Sequence, residues 1–118
     1  MRRKVRVYLA GPIRGCSDEQ ATWWRQEVKR QLKHLEFEDP VNWFKEPGVP
    51  REISKLAPCD LMLANMWKES IGTTVGVIRA RQQGKPVVLL DPNRLNNPIL
   101  ASLIAPETPT RDIAEACK

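Results

Sequence analysis

The sequence predicts an α/β fold: a three-layer sandwich around a parallel sheet of four or five strands. Three stretches carry this expectation. Asp60–Met66 is an apolar run with one interior Asn, the length of a strand buried on both faces. A helix follows, opened by Gly72 and Thr73, carrying Val75, Val77, Ile78 and Ala80, and stopped at Gly84, a natural C′ residue. Val87–Leu90 is a second apolar run, begun after Pro86. Two apolar runs joined by a helix make a βαβ unit, with a right-handed crossover.

The rest of the chain extends that unit. Lys4–Ala10 alternates basic or aromatic residues with apolar ones and reads as the first strand. Gly11-Pro12-Ile13-Arg14-Gly15 ends it in a tight loop. Ser17 is an N-cap with Gln20 three residues on, a capping box. The helix after it places Ala21, Trp24, Val28, Leu32 and Leu35 on one apolar stripe. Arg25, Lys29, Arg30 and Lys33 read as its solvated face. Phe37–Trp43 is a weak second strand, disturbed by Pro40. Phe44–Pro50 is turn-rich, and Pro50–Ala57 reads as a short helix with Pro in its first turn. Beyond Leu90, Asp91–Asn97 is a polar loop. Pro98–Ile104 fits either a helix or a strand. Thr110 caps a last helix, Arg111–Cys117.

Composition limits the function classes. A chain of 118 residues is expected to be one domain. No apolar run approaches the ~18 residues of a membrane span. Val5–Ala10 is too short for a signal-peptide core. Three widely spaced cysteines (Cys16, Cys59, Cys117) form no C-x-x-C pair and no metal pattern with His34. The expectation is a reduced, cytoplasmic protein without metal. No organic cofactor is implied, because the G-x-G-x-x-G pattern is absent. The net charge of +5 is spread over a tip, a helix and several loops. It does not single out nucleic acid, and a small anionic ligand is served equally well.

In flavodoxin- or Rossmann-like sheets, ligands bind beyond the carboxyl ends of the strands, where strand order reverses. With the first and third strands adjacent, that crevice collects Gly11–Gly15 and Trp67–Thr73. Both loops are rich in Gly, Ser or Thr, and one carries an Arg. Ser70, Gly72 and Thr73 sit where free N–H groups and the positive helix end favour an anion. The convergence points to phosphate. Trp67 follows a strand end beside this crevice and is placed to stack on a base.

Val7-Tyr8-Leu9-Ala10-Gly11-Pro12-Ile13-Arg14-Gly15, Cys59-Asp60, Ser70-Ile71-Gly72-Thr73, and Ala80 through Gly84-Lys85-Pro86-Val87 together resemble the nucleoside 2-deoxyribosyltransferase superfamily. The likeness spans roughly Val5–Leu90. The G-x-I-R-G loop and the Ser two residues before Gly72 are most similar to its 2′-deoxynucleoside 5′-monophosphate N-glycosidase branch. The resemblance implies that Gly11, Ile13, Arg14 and Gly15 wrap a 5′-phosphate, with Ser70 and Gly72 completing the cradle. It places Tyr8 near the sugar and Glu52 at the position of a second acid. It also implies a homodimer or larger assembly, with pockets built at subunit interfaces and Trp23 suited to such a contact.

One departure bears on chemistry. The family's nucleophilic Glu lies six residues after the Ser70 position, and here that position is Gly76. Covalent glycosyl transfer needs a carboxylate there, to meet an oxocarbenium-like transition state. Glu69 is in the neighbouring loop but precedes the cradle. Glu52 alone can act only as a general base toward water. The expectation is a protein that binds a nucleoside or nucleoside monophosphate, with N-glycosidase activity weakened or lost. The alternatives are a non-catalytic nucleotide sensor and a basic nucleic-acid-interacting protein.

Overall fold

The computed structural model describes residues 4–13, 15–40, 56–105 and 107–117. Four strands form one parallel sheet: β1 (Arg6–Ala10), β2 (Glu36–Glu38), β3 (Leu61–Asn65) and β4 (Val87–Leu90), in the order β2-β1-β3-β4. The helices are α1 (Asp18–Gln31), α2 (Ile71–Gln82), α3 (Pro98–Ile104) and α4 (Ile113–Ala116). Thr110 adds an isolated parallel bridge to Leu90, a rudiment of a fifth strand.

β1, β3 and β4 are buried on both faces, as their apolar runs require, and β2 (Glu-Phe-Glu) is a partly exposed edge. On one face Tyr8, Ala10, Met62, Ala64 and Leu89 pack against Val77 and Ala80 of α2 and Leu100 and Ile104 of α3. On the other, Val7, Leu9, Leu63 and Leu90 pack against Trp24 and Val28 of α1 and Ala116 of α4. These are the three expected layers. The strands are held in register by Ala10 opposite Ala64 and Asn65 opposite Leu90.

Local signals act as the sequence suggests at several points. Ser17 caps α1 through a complete capping box with Gln20. Gly84 takes φ +71° just past α2, the left-handed conformation that glycine adopts without strain. Pro98–Ile104 is a helix, capped by Asn97, whose side chain accepts from the N–H groups of Ile99 and Leu100.

Four expectations are corrected. β2 ends at Glu38 because Asp39 turns out of the strand to reach Arg25 and Lys29. Arg25 is not on a solvated face; it is fully buried. Thr110 does not cap α4. Its hydroxyl donates to the Leu89 carbonyl, and Asp112 caps the helix by accepting from Glu115 N–H. α2 begins at Ile71, one residue earlier than expected, with Ser70 as N-cap. The turn-rich stretch and most of the short helix expected before Cys59 lie outside the described residues. Leu56, at the end of that stretch, is helical and buried.

Candidate functional site

β1 runs through α1 to β2 on one side, and the chain then crosses to β3 on the other side of β1. Strand order therefore reverses between β1 and β3, and residues 11–17 and 66–70 leave the sheet there. In this geometry the two loops diverge to opposite layers and leave a crevice between them.

The first loop is built on Trp24. A β-carbon at Gly11 would lie 2.4 Å from Trp24 Cζ2, so only glycine lets the strand end rest on that ring. Cys16 N–H donates to the Ile13 carbonyl at 3.1 Å, closing a turn in which Gly15 has φ +73°. Arg25 fastens this loop from below. Its guanidinium donates to the carbonyls of Leu9 (2.7 Å) and Gly11 (3.1 Å) and to Asp39 Oδ1 (3.0 Å), while Nε donates to the Ala21 carbonyl. Its plane also stacks 4.6 Å from the Trp24 ring centroid. Burial pulls the guanidinium below its ordinary value, and Asp39 opposes that shift. Lys29 holds the other Asp39 oxygen at 2.9 Å.

The second loop is tied to the β4 side by Asn93 Nδ2, which donates to the Trp67 carbonyl at 2.6 Å. Ser70 Oγ accepts from Thr73 N–H at 3.2 Å and from the Thr73 hydroxyl at 3.0 Å. With Thr73 N–H satisfied, the first-turn N–H groups of Ile71 and Gly72 are left for solvent or a ligand. Both residues are exposed, and an open hollow of about 430 Å³ lies against Ser70, Ile71 and Thr74. α2 itself carries no carboxylate; the nearest one at its positive end is exposed Glu69, which precedes the cap and lines the same hollow.

The two loops meet. A β-carbon at Gly15 would lie 3.9 Å from Lys68 Nζ. Lys68 makes no ion pair among the described residues; its ammonium rests 5.4 Å from the Trp67 ring centroid. Gly15, singled out from the sequence, is thus met by a cation of the second loop that the sequence reading missed.

Asn65 was also missed as a site residue. It closes β3 at 0% exposure, and among the described residues neither its Oδ1 nor its Nδ2 has a hydrogen-bond partner. Strand alternation turns it toward the α1 face, one residue past the Ala10–Ala64 pair and so level with the start of the first loop. Trp24 Nε1 and Trp67 Nε1 are likewise buried without partners. Such groups cost about 1–3 kcal/mol each when unsatisfied. All three residues belong to the α1-side layer or the strand end that faces it. Its place as the lone polar residue in an apolar run was the available signal for Asn65.

The remaining expected residues fall as follows. Tyr8 is 2% exposed in the core, on the sheet face covered by α2. Gly76 is buried within α2 on that helix's inner side. Trp67 is half-buried and packs against the α1-side core, with Lys68 over its ring. Trp23 is 50% exposed. Ile13 is half-buried in the first loop. Arg14, Glu52 and Trp43 lie outside the described residues. Among the described residues no group of three His, Cys, Asp or Glu could hold a metal. No helix among them is long and apolar enough to cross a membrane.

The solved structures show a clear likeness. A 2-deoxyribosyltransferase from the psychrotolerant bacterium Bacillus psychrosaccharolyticus, described as a biocatalyst for the synthesis of antiviral and antitumoral nucleosides, aligns at TM-score 0.74 and 18% identity. The alignment covers 97% of this chain and 91% of that one. The fold is that of a 2-deoxyribosyltransferase. A conserved protein from Enterococcus faecalis V583 shares it at TM-score 0.63 and 15% identity, over 98% of this chain and 87% of that one. No family model matches the sequence, and no curated protein matches it.

Proposed function

We propose that this deoxyribosyltransferase-like chain is a nucleoside monophosphate-binding protein of the nucleoside 2-deoxyribosyltransferase superfamily. The observation that carries the reading is the meeting of the Gly15 turn with Lys68, in the loop that leads into α2. A tetrahedral dianion needs several donors around it, and this crevice has N–H groups, a hydroxyl and an ammonium within one loop pair. A free nucleoside has no anionic group to pair with the cation. The phosphate-accepting branch, the N-glycosidases, is therefore the better parallel within the superfamily.

N-glycosidase activity is weak or absent, because Gly76 stands where the superfamily has its attacking Glu. Glu52, acting as a single general base, supports at most direct attack by water. A second reading, a non-catalytic nucleotide sensor, is favoured by the same Gly76. A homodimer belongs to either reading, and exposed Trp23 and Ile71 offer apolar surface for it; sedimentation at micromolar concentration tests this.

Calorimetry against purine and pyrimidine nucleoside monophosphates, with the free nucleosides beside them, tests the central claim. Binding should require the phosphate and should weaken about tenfold in Lys68→Met. No heat with any monophosphate ends the reading. Binding that steepens with falling salt and ignores the monophosphates supports the nucleic-acid alternative instead. Gly76→Glu then separates the two nucleotide readings: release of free base by the variant alone indicates a glycosidase pocket lacking its nucleophile.

A further inference from the structure

A second cavity lies beyond the carboxyl ends of β3 and β4, away from the β1–β3 crevice. It measures about 130 Å³. A cavity of ~150 Å³ lined by aliphatic groups accepts benzene, so this one has room for a single six-membered ring. Its floor is Met66, Leu89 and Leu100, all buried. Its polar side is formed by Asn96, Asn97 and Arg111 above Asp91.

The hydrogen-bond inventory of that side is one-sided. Asn97 Oδ1 is used by the N–H groups of Ile99 and Leu100, and Asn96 Oδ1 accepts from Arg111 Nη2 at 3.3 Å. Those bonds assign each amide's oxygen and leave each amide nitrogen without a partner among the described residues. Asp91 Oδ1 accepts from Leu95 N–H, and Oδ2 accepts from Asn96 N–H and Arg111 Nη1. The carboxylate therefore offers a ligand little acceptor capacity, and it cancels the Arg111 charge. The cavity's rim thus carries exposed Asn96 and half-buried Asn97, whose amide nitrogens are uncommitted, beside a neutralised Asp91–Arg111 pair and over an apolar floor.

The wall is also held in place. Arg94 and Asn96 have φ +53° and +54°, a conformation that side chains with a β-carbon disfavour. The Asp91 bonds keep the loop there. Fixing the loop explains Asp91; it does not explain spare amide donors above buried Met66 and Leu89.

We propose that this cavity is a binding site for a small neutral ring compound bearing a carbonyl oxygen. The ring fills the space over Met66, Leu89 and Leu100, and the carbonyl accepts from the Asn96 and Asn97 amides. A carboxylate gains little, because the guanidinium is already neutralised. A bare hydrocarbon gains nothing from the amides. The inference does not depend on the nucleotide reading and stands if no monophosphate binds.

Fluorine NMR with a matched series tests it on the full chain: 4-fluorobenzamide, fluorobenzene and 4-fluorobenzoate. The amide should show saturable binding at least fivefold tighter than either of the others. Ala101→Trp, at an exposed position on the cavity wall, should abolish it. Asn96→Gly keeps the left-handed backbone and its N–H to Asp91 but deletes the amide, and should weaken binding about fivefold. Thermal melts confirm that the variants fold; if Ala101→Trp does not, Asn96→Gly decides. The proposal is overturned by no saturable amide binding, by equal binding of fluorobenzene, by tighter binding of the benzoate, or by binding unchanged in the folded variants.

Discussion

Removing the Arg25 guanidinium should be among the costliest single changes available. Arg25→Met keeps much of the aliphatic stem and deletes every polar contact. Two consequences follow in the folded state. Asp39, 5% exposed, loses its 3.0 Å partner and keeps Lys29. The carbonyls of Leu9 and Gly11 lose a donor at a place water does not reach freely. Breaking a buried ion pair from one side costs about 3–5 kcal/mol, and the surviving Lys29 puts this case near 3. The two carbonyls add roughly 1 kcal/mol between them once neighbouring groups relax. The sum, about 4 kcal/mol, is a large share of the 5–15 kcal/mol typical of a domain. With a urea slope of about 1.5 kcal/mol per molar, the unfolding midpoint should fall by roughly 2–3 M. Because the pair is buried, the loss should be nearly the same in 0.1 and 1 M salt. A cycle with Asp39→Asn should return a coupling of about 2 kcal/mol. A cost under about 1 kcal/mol, or one that salt erases, refutes the reasoning and returns Arg25 to the solvated face expected from the sequence.

Three further outcomes follow from the same geometry. Gly11→Ala drives a methyl into Trp24, whose ring is fully packed, and should cost about 1–3 kcal/mol in urea unfolding. Asn65→Leu removes two unsatisfied buried groups and should raise stability by on the order of 1 kcal/mol; a fall of that size means that the amide has a partner in solution. Burial pushes the Cys59 thiol from 9.0 up to about 11. The folded state therefore keeps a proton that the unfolded chain has lost. The stability difference between the parent and Cys59→Ala should be constant below pH 9 and shift against the parent between 9 and about 11. A flat difference across that window contradicts the shift.

Strands and caps were legible because each depends on neighbours in sequence. The apolar run at β3, the Ser17–Gln20 box and Gly84 needed no distant partner to be recognised. Arg25 was not legible as a buried residue, since a helix position shows its periodicity but not its tertiary acceptors. Its place beside Ala21, Trp24 and Val28 on the inner arc of α1 was the one hint. Thr110 is the opposite case: its type and position suit a helix cap, but a sheet edge competes for it and takes its hydroxyl. At the candidate site the sequence supplied the glycines and Ser70. Lys68 became visible only when β1 and β3 lay side by side, because its nearness to Gly15 is a property of the sheet order.

That sheet order has a kinetic side as well. β1 lies at the middle of the sheet, yet Arg6 bonds to partners 30 and 54 residues further along the chain. During synthesis the first strand to emerge must wait for both neighbours, with Val7, Leu9 and Ala10 lacking cover. Such non-local closure slows folding toward the millisecond-to-second range. Until Leu61–Asn65 arrives, the apolar β1 segment is one that a chaperone has reason to hold.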